Sequence, residues 1–234
     1  MSRGAPIPII ALDVPTSEAA LSIVERLGDD CRFYKIGNEL FTACGPQVVR
    51  DVLARGAEVF LDLKFHDIPN TVAGAVRNAA SLGARLVTVH AIGGAAMLRA
   101  AVEAAGSAQR CAVLAVTVLT SLTDAEVGTL WGRGTQLRLS DEVLRLAELA
   151  RDAGAAGVVC SGREARSVKD RFGSSLAVLI PGIRLPGGAT HDQSRTSTPS
   201  EAAASGADYV VVGRAVTASQ DPRAALREIA TQLR

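Results

Sequence analysis

Short runs of apolar and β-branched residues recur along the chain, at 7–12, 32–37, 58–64, 85–90, 112–119, 156–160, 176–180 and 208–213. Between them apolar positions return at helical spacing, in stretches such as 17–27, 46–54, 71–82, 94–104, 139–153 and 223–233. Strands alternating with helices in this rhythm predict βαβ units in a parallel sheet. A Gly-Ala pair closes a helix and opens a strand at Gly56-Ala57, Gly83-Ala84, Gly154-Ala155 and Gly206-Ala207. Glycine suits the left-handed residue that ends a helix. The first two pairs lie 27 residues apart and the last two 52, which is two units of 26. Eight units of about 29 residues imply a single (β/α)8 TIM barrel spanning residues 1–234 as one α/β domain, not an open doubly wound sheet.

A barrel strand sends alternate side chains inward and outward. In the third run Val59, Leu61 and Leu63 share the face that helices must cover, so Phe60, Asp62 and Lys64 line the barrel. The second run then sends Phe33, Lys35 and Gly37 inward, the first Ile7, Ile9, Ala11 and Asp13, and the fourth Leu86, Thr88 and His90. In each, apolar residues lead and a polar or charged group stands at or near the carboxyl end, where active sites of this fold lie.

Composition narrows the class. Hydrophobic residues make up 48%, and 25 basic against 24 acidic residues leave a net charge of +1. That balance excludes a disordered chain and argues against nucleic acid or an anionic membrane surface as the main partner. The apolar stretch before Asp13 is too short for a signal peptide or a membrane span. The four cysteines, Cys31, Cys44, Cys111 and Cys160, show neither C-x-x-C nor zinc-finger spacing and are read as small core residues. A leaderless chain with reduced cysteines points to the cytoplasm. Only three basic residues are lysine, namely Lys35, Lys64 and Lys169. Lysine presents a compact charge and can lose its proton, whereas arginine stays protonated. For Lys169, in a polar helical stretch, drift in codon usage is the preferred account.

Asp13, Lys35, Asp62 and Lys64 thus converge on one mouth, with Asp67 three residues further on. Residues i and i+2 of a strand are about 6.6 Å apart, so Asp62 and Lys64 can meet at their tips. Lys35 can flank Asp62 from the other side. A structural ion-pair plug is the bland account, but burying ions rarely improves stability over apolar packing. Charges gathered at the catalytic end favour the functional one.

The run Asp62-Leu63-Lys64-Phe65-His66-Asp67-Ile68-Pro69-Asn70-Thr71 resembles the signature of the orotidine 5'-phosphate decarboxylase family. The resemblance extends to Ala11-Leu12-Asp13, Lys35-Ile36-Gly37, Val118-Leu119-Thr120-Ser121, Pro181-Gly182-Ile183-Arg184, Asp192-Gln193 and Val211-Val212-Gly213-Arg214, and so covers essentially the whole chain. Related hexulose-phosphate synthases and gulonate-phosphate decarboxylases carry a carboxylate near the position of Lys35 that helps hold magnesium. An ammonium there would repel the metal, so the chain resembles the metal-free branch, with neither metal nor organic cofactor.

The resemblance implies conversion of orotidine 5'-phosphate to uridine 5'-phosphate and carbon dioxide, a step of de novo pyrimidine biosynthesis. It implies that Lys64 stabilises and protonates C6 of the pyrimidine, that Asp62 lies near the departing carboxylate, and that Lys35 and Asp67 keep the row in register. Asp13, Lys35 and Thr71 would meet the ribose, Ser121 the pyrimidine edge, and Gly213, Arg214 and Gln193 the phosphate. Thr120 and Arg184 match further ligand positions, and 184–197 reads as a closing lid. Asp67, Ile68 and Thr71 would serve the neighbouring subunit's site, which implies a homodimer. His90 is expected to pack below the substrate; His66, His191 and Trp131 receive no chemistry. The rivals are a magnesium-dependent phosphosugar lyase, a Schiff-base aldolase using Lys64, and a non-catalytic phosphate-ligand binding protein. Neighbouring carboxylates, which are expected to favour an ammonium over the free amine a Schiff base needs, weigh against the aldolase.

Overall fold

Eight parallel strands hydrogen-bond side by side in the computed structural model and close on themselves, with the last pairing the first. They are β1 Ile7–Ala11, β2 Phe33–Gly37, β3 Glu58–Phe65, β4 Leu86–His90, β5 Ala112–Val116, β6 Gly157–Val159, β7 Ala177–Ile180 and β8 Tyr209–Val212. The closing pair runs in register from Ile7 opposite Tyr209 to Ile10 opposite Val212. The structure describes residues 4–106, 111–134, 137–185 and 196–234. The expected (β/α)8 barrel is therefore the fold observed.

Helices cover the outside: α1 Ser17–Leu27, α2 Asn38–Cys44, α3 Gln47–Leu53, α4 Pro69–Ser81, α5 Gly94–Gly106, α6 Asp124–Leu130, α7 Leu139–Asp152, α8 Gly162–Phe172, α9 Pro199–Ala204, α10 Arg214–Thr217 and α11 Pro222–Gln232. Short apolar periods explain which of these sequence reading misses. α2 buries only Leu40, too little for a repeating stripe. All four Gly-Ala junctions have a glycine of positive φ, and at three of them the alanine N–H turns back into the helix. At the end of α7, Gly154 has φ +85° and Ala155 N–H returns to the Ala150 carbonyl at 2.9 Å, which satisfies a terminal carbonyl that would otherwise be unpaired. None of the described helices is long and apolar enough to cross a membrane.

Two apolar layers follow from the strand alternation. Ile9, Ala11, Phe33, Phe60, Leu86, Leu114, Val116, Val159, Leu179 and Val211 fill the barrel as a packed plug. Ile10, Tyr34, Ile36, Val59, Leu61 and Val87 point outward into the larger layer shared with the helices. Cys31 and Cys160 are buried; Cys44 and Cys111 are half-buried against that outer layer.

The walls of the barrel are unequal. β3 has eight residues and β6 only three. The strand expected over 112–119 therefore stops at Val116, because β6 has no further residue to pair with it. Both the N–H and the hydroxyl of Thr117 turn to the carbonyl of Val159, at 3.2 and 2.8 Å, and the chain then bends over the mouth. The β3–β4 ladder is also irregular: Leu61 lies opposite Val87 and Phe65 opposite Val89. Asp62, Leu63 and Lys64 thus share a single opposing residue, Thr88.

Lys169 departs from the drift expected for it. Its ammonium is 2.7 Å from Asp208 Oδ2 and donates to the Leu176 carbonyl at 3.2 Å, with the residue only 5% exposed. The same carboxylate oxygen accepts the Val178 N–H at 2.7 Å, so this pair ties α8 to the amino ends of β7 and β8. A buried ammonium that loses its partner is costly, although Asp208 is itself partly solvated. Lys169→Ala is expected to lower unfolding free energy by about 2–3 kcal/mol in urea titrations, with the pH–rate profile of any activity at the distant mouth unchanged. A loss below about 0.5 kcal/mol would mean that the pair is merely a surface contact.

Candidate active site

A cavity of about 540 Å³ opens at the carboxyl end of the barrel. Its floor is the top of the apolar plug, Phe60, Val116, Val159, Leu179 and Val211 among others. Of the residues expected to act, Asp13, Lys35, Asp62, Lys64, Thr120, Ser121, Arg184, Gly213 and Arg214 all line it.

The charged groups form a continuous row. Lys35 Nζ lies 2.8 Å from Asp13 Oδ1 and 3.8 Å from Asp62 Oδ2; Lys64 Nζ lies 2.8 Å from Asp62 Oδ1. Exposure grades along it, with Asp62 and Lys35 side chains at 12% and 11%, Lys64 at 31% and Asp13 at 57%. Gly37, at the end of β2, makes room for the row: a β-carbon there would stand 2.9 Å from Lys35 Nζ. Lys64 does point into the mouth, but not by simple alternation. Its φ is +50°, a left-handed conformation rare outside glycine, and its N–H donates to Thr88 Oγ1 at 2.9 Å. The Thr88 hydroxyl in turn donates to Asp62 Oδ1 at 2.9 Å.

Burial would raise the pKa of Asp62, yet the cations Lys64 and Lys35 and the hydrogen bonds from Lys64 and Thr88 outweigh it and hold the carboxyl below its ordinary value. Beside the row, the His66 and His90 rings stand 5.7 Å apart. Burial first, then repulsion from His66 and Lys64, lowers the pKa of His90, so its ring is neutral at neutral pH.

Around the rim, the chain after β7 is pinned where Arg184 N–H donates to the Ser197 carbonyl at 2.9 Å. Gly162 lets Ser197 pack there, since a β-carbon at Gly162 would collide with the Ser197 side chain. α10, which begins at Arg214, has four residues, so its single turn offers a guanidinium and a few N–H groups and little helix dipole. Asp67, Ile68 and Thr71 do not line this cavity; they are exposed at the start of α4, where Ile68 N–H donates to Asp67 Oδ1 at 2.6 Å. His191, Asp192 and Gln193, with most of the expected lid, lie outside the described residues. Glu39 and Thr217 line the cavity without having been expected, both on helices too short to show a period. Thr88 was placed inward by alternation, but its link to Asp62 and Lys64 depends on a register shift that no sequence pattern reveals.

Asp62 contributes stability that is present above the unfolded-state value near ~3.9 and is lost as pH falls through its lowered folded value. Carbon-13 NMR titration is expected to find Asp62 ionised below the ordinary carboxylate range. In Lys64→Ala its midpoint should move up, since burial then meets one cation fewer. An unmoved midpoint would contradict this coupling.

Comparison with known proteins fits the geometry. Residues 6–229 match the family model described as orotidine 5'-phosphate decarboxylase / HUMPS family. Proteins named orotidine 5'-phosphate decarboxylase from Alkalilimnicola ehrlichii and Halorhodospira halophila are 52% and 48% identical, covering 96% and 98% of this chain and 96% and 97% of their own. The crystal structure of orotidine 5'-phosphate decarboxylase from Lactobacillus acidophilus superposes with a TM-score of 0.84 at 36% identity, covering 98% of this chain and 99% of that one. With the family model matched over residues 6–229 and relatives of about half identity over nearly the whole length, the chain belongs to the orotidine 5'-phosphate decarboxylase / HUMPS family.

Proposed function

We propose that the protein converts orotidine 5'-phosphate to uridine 5'-phosphate and carbon dioxide, in pyrimidine synthesis, with the whole chain acting as one catalytic unit and without metal or organic cofactor. The observation that carries this reading is the Lys35–Asp62–Lys64 row standing over an apolar floor. Breaking the bond between C6 and the carboxylate leaves an electron pair on C6 in an orbital with little delocalisation. A fixed cation near that carbon stabilises the developing charge, and more strongly in a dry, apolar cavity than in water. Lys64 is the group in reach. Its ammonium, held by Asp62, carries a proton to deliver to C6, which forms the C–H bond as CO2 leaves. Asp62, kept ionised by its two cations, faces the substrate carboxylate and favours its departure by repulsion.

Both carboxylates of the row are already matched by ammonium groups, and a divalent cation bridging them would have to displace Lys35. This supports a metal-free reaction. The charged row alone is too weak for a very slow background reaction: the largest enzymatic accelerations need on the order of 20 kcal/mol, and one well-placed donor supplies about 3–4. Binding energy from the phosphate, held by Gly213 and Arg214 at the far rim, adds the remainder by ordering the mouth and excluding water. In this reading Asp13 and Lys35 meet the ribose, Ser121 the pyrimidine edge, and Thr120 is a further ligand position; that all four line the cavity supports it.

The exposed trio Asp67, Ile68 and Thr71 completes the site of a second copy in a homodimer. Its support is that the trio shares the signature run with Asp62 and Lys64 yet lies outside its own cavity, with Ile68 67% exposed.

Loss of the substrate's ultraviolet band, followed with purified protein, should proceed equally with and without EDTA. In Lys64→Ala, kcat should fall on the order of 10²–10⁴-fold. A well-folded protein that leaves orotidine 5'-phosphate intact would sink the assignment, and inhibition by chelator would sink its metal-free form. Sharing of sites is tested by mixing inactive Lys64→Ala and Asp67→Ala subunits. If Asp67 serves the partner, the mixture regains about a quarter of wild-type activity, because random pairing gives mixed dimers each with one intact site. No recovery after demonstrated subunit exchange would place Asp67 in its own subunit's site.

A further inference from the structure

β4 offers one residue, Thr88, against three of β3, so the ladder has no backbone carbonyl at the place where Lys64 needs one. A buried N–H without a partner is strongly disfavoured, and so is a left-handed lysine. Both demands meet at Lys64, whose φ is positive, and one fully buried hydroxyl answers both. Thr88 Oγ1 accepts the Lys64 N–H through a lone pair and sends its only proton to Asp62 Oδ1, each at 2.9 Å. The same Asp62 oxygen accepts from Lys64 Nζ at 2.8 Å. The result is a closed loop in which the root and the tip of one lysine are referred to a single rigid point on the neighbouring strand.

Resting on the decarboxylase reading above, we propose that Thr88 is a positioning residue: it holds Lys64 in its left-handed backbone conformation and orients the Asp62 carboxylate, thereby aiming the ammonium at the reacting carbon. Thr88 itself lies below the row and is absent from the cavity lining, so its effect falls on the chemical step more than on binding. β-Branching serves this role, since a threonine on a strand has few χ1 choices and its hydroxyl stays in place.

The test is Thr88→Val, which keeps shape and removes the hydroxyl, beside Thr88→Ser, which keeps the hydroxyl. Misplacement of a reacting group by about 1 Å can cost on the order of 100-fold. Accordingly kcat in Thr88→Val should drop about 10- to 100-fold with KM within about threefold, and Thr88→Ser should stay within about threefold of wild type in both. Amide hydrogen exchange gives a readout independent of turnover. The Lys64 N–H should be protected in wild type and Thr88→Ser, and exchange faster in Thr88→Val while the amides of Phe60 and Leu61 stay protected. Wild-type kcat in a folded Thr88→Val would overturn the positioning role, as would an unprotected Lys64 amide in the wild type. Absence of turnover in the wild type with a protected, Thr88-dependent amide would instead overturn the decarboxylase reading and leave the linkage standing.

Discussion

The Asp62 carboxylate, almost removed from water and placed between two ammonium groups, is the constraint around which the carboxyl end of this barrel is built. An unmatched charge there would be intolerable, because the apolar plug directly beneath supplies no polar partner. Each neighbouring feature answers that demand. Gly37 leaves the space that Lys35 occupies, Asp13 spreads the second cation's field toward solvent, and the distorted end of β3 brings Lys64 back over its own carboxylate. Such a row is a poor way to gain stability, since apolar packing at the same positions would do as well or better. Its retention is intelligible when the field it makes in the cavity is what the molecule uses.

The amino end of the barrel solves a related problem for a different purpose. Lys169 and Asp208 bind each other, a carbonyl and an N–H, all within the framework of α8, β7 and β8. Neither residue lines the cavity at the mouth. Of the three lysines in an otherwise arginine-rich chain, two are mouth residues and one is a fastening. Compactness, rather than lability of the proton, explains the third: a guanidinium is a broad planar fork, whereas one ammonium fits the narrow space between a carboxylate and a carbonyl.

Much of this was legible in sequence because it depends on period and punctuation. Repeated strand and helix runs with Gly-Ala junctions indicated the barrel, and alternation put Asp62, Lys35 and Phe60 on its inner face. Reading failed where backbone geometry broke the period. Alternation over 112–119 could not foresee that β6 would end after three residues, and the lone buried Leu40 could not announce α2. Lys64 was placed rightly for an incomplete reason, since strict pleating ignores its positive φ. Lys169 was read as drift in codon usage because its partner Asp208 lies 39 residues away, just before β8, a separation no local pattern spans.

The unequal strands have a consequence for how such a chain can diversify. β3 rises as a tall wall and carries Asp62 and Lys64, while β6 and β7, with three and four residues, form a low one beside the connections that bear Thr120, Ser121 and Arg184. Those connections lie beyond the strand ends, so side-chain exchanges there leave the opposite wall undisturbed. The charged row and the polar groups across from it thus stand on separate sides of one opening, and side chains on the second side can be exchanged while the first stays intact.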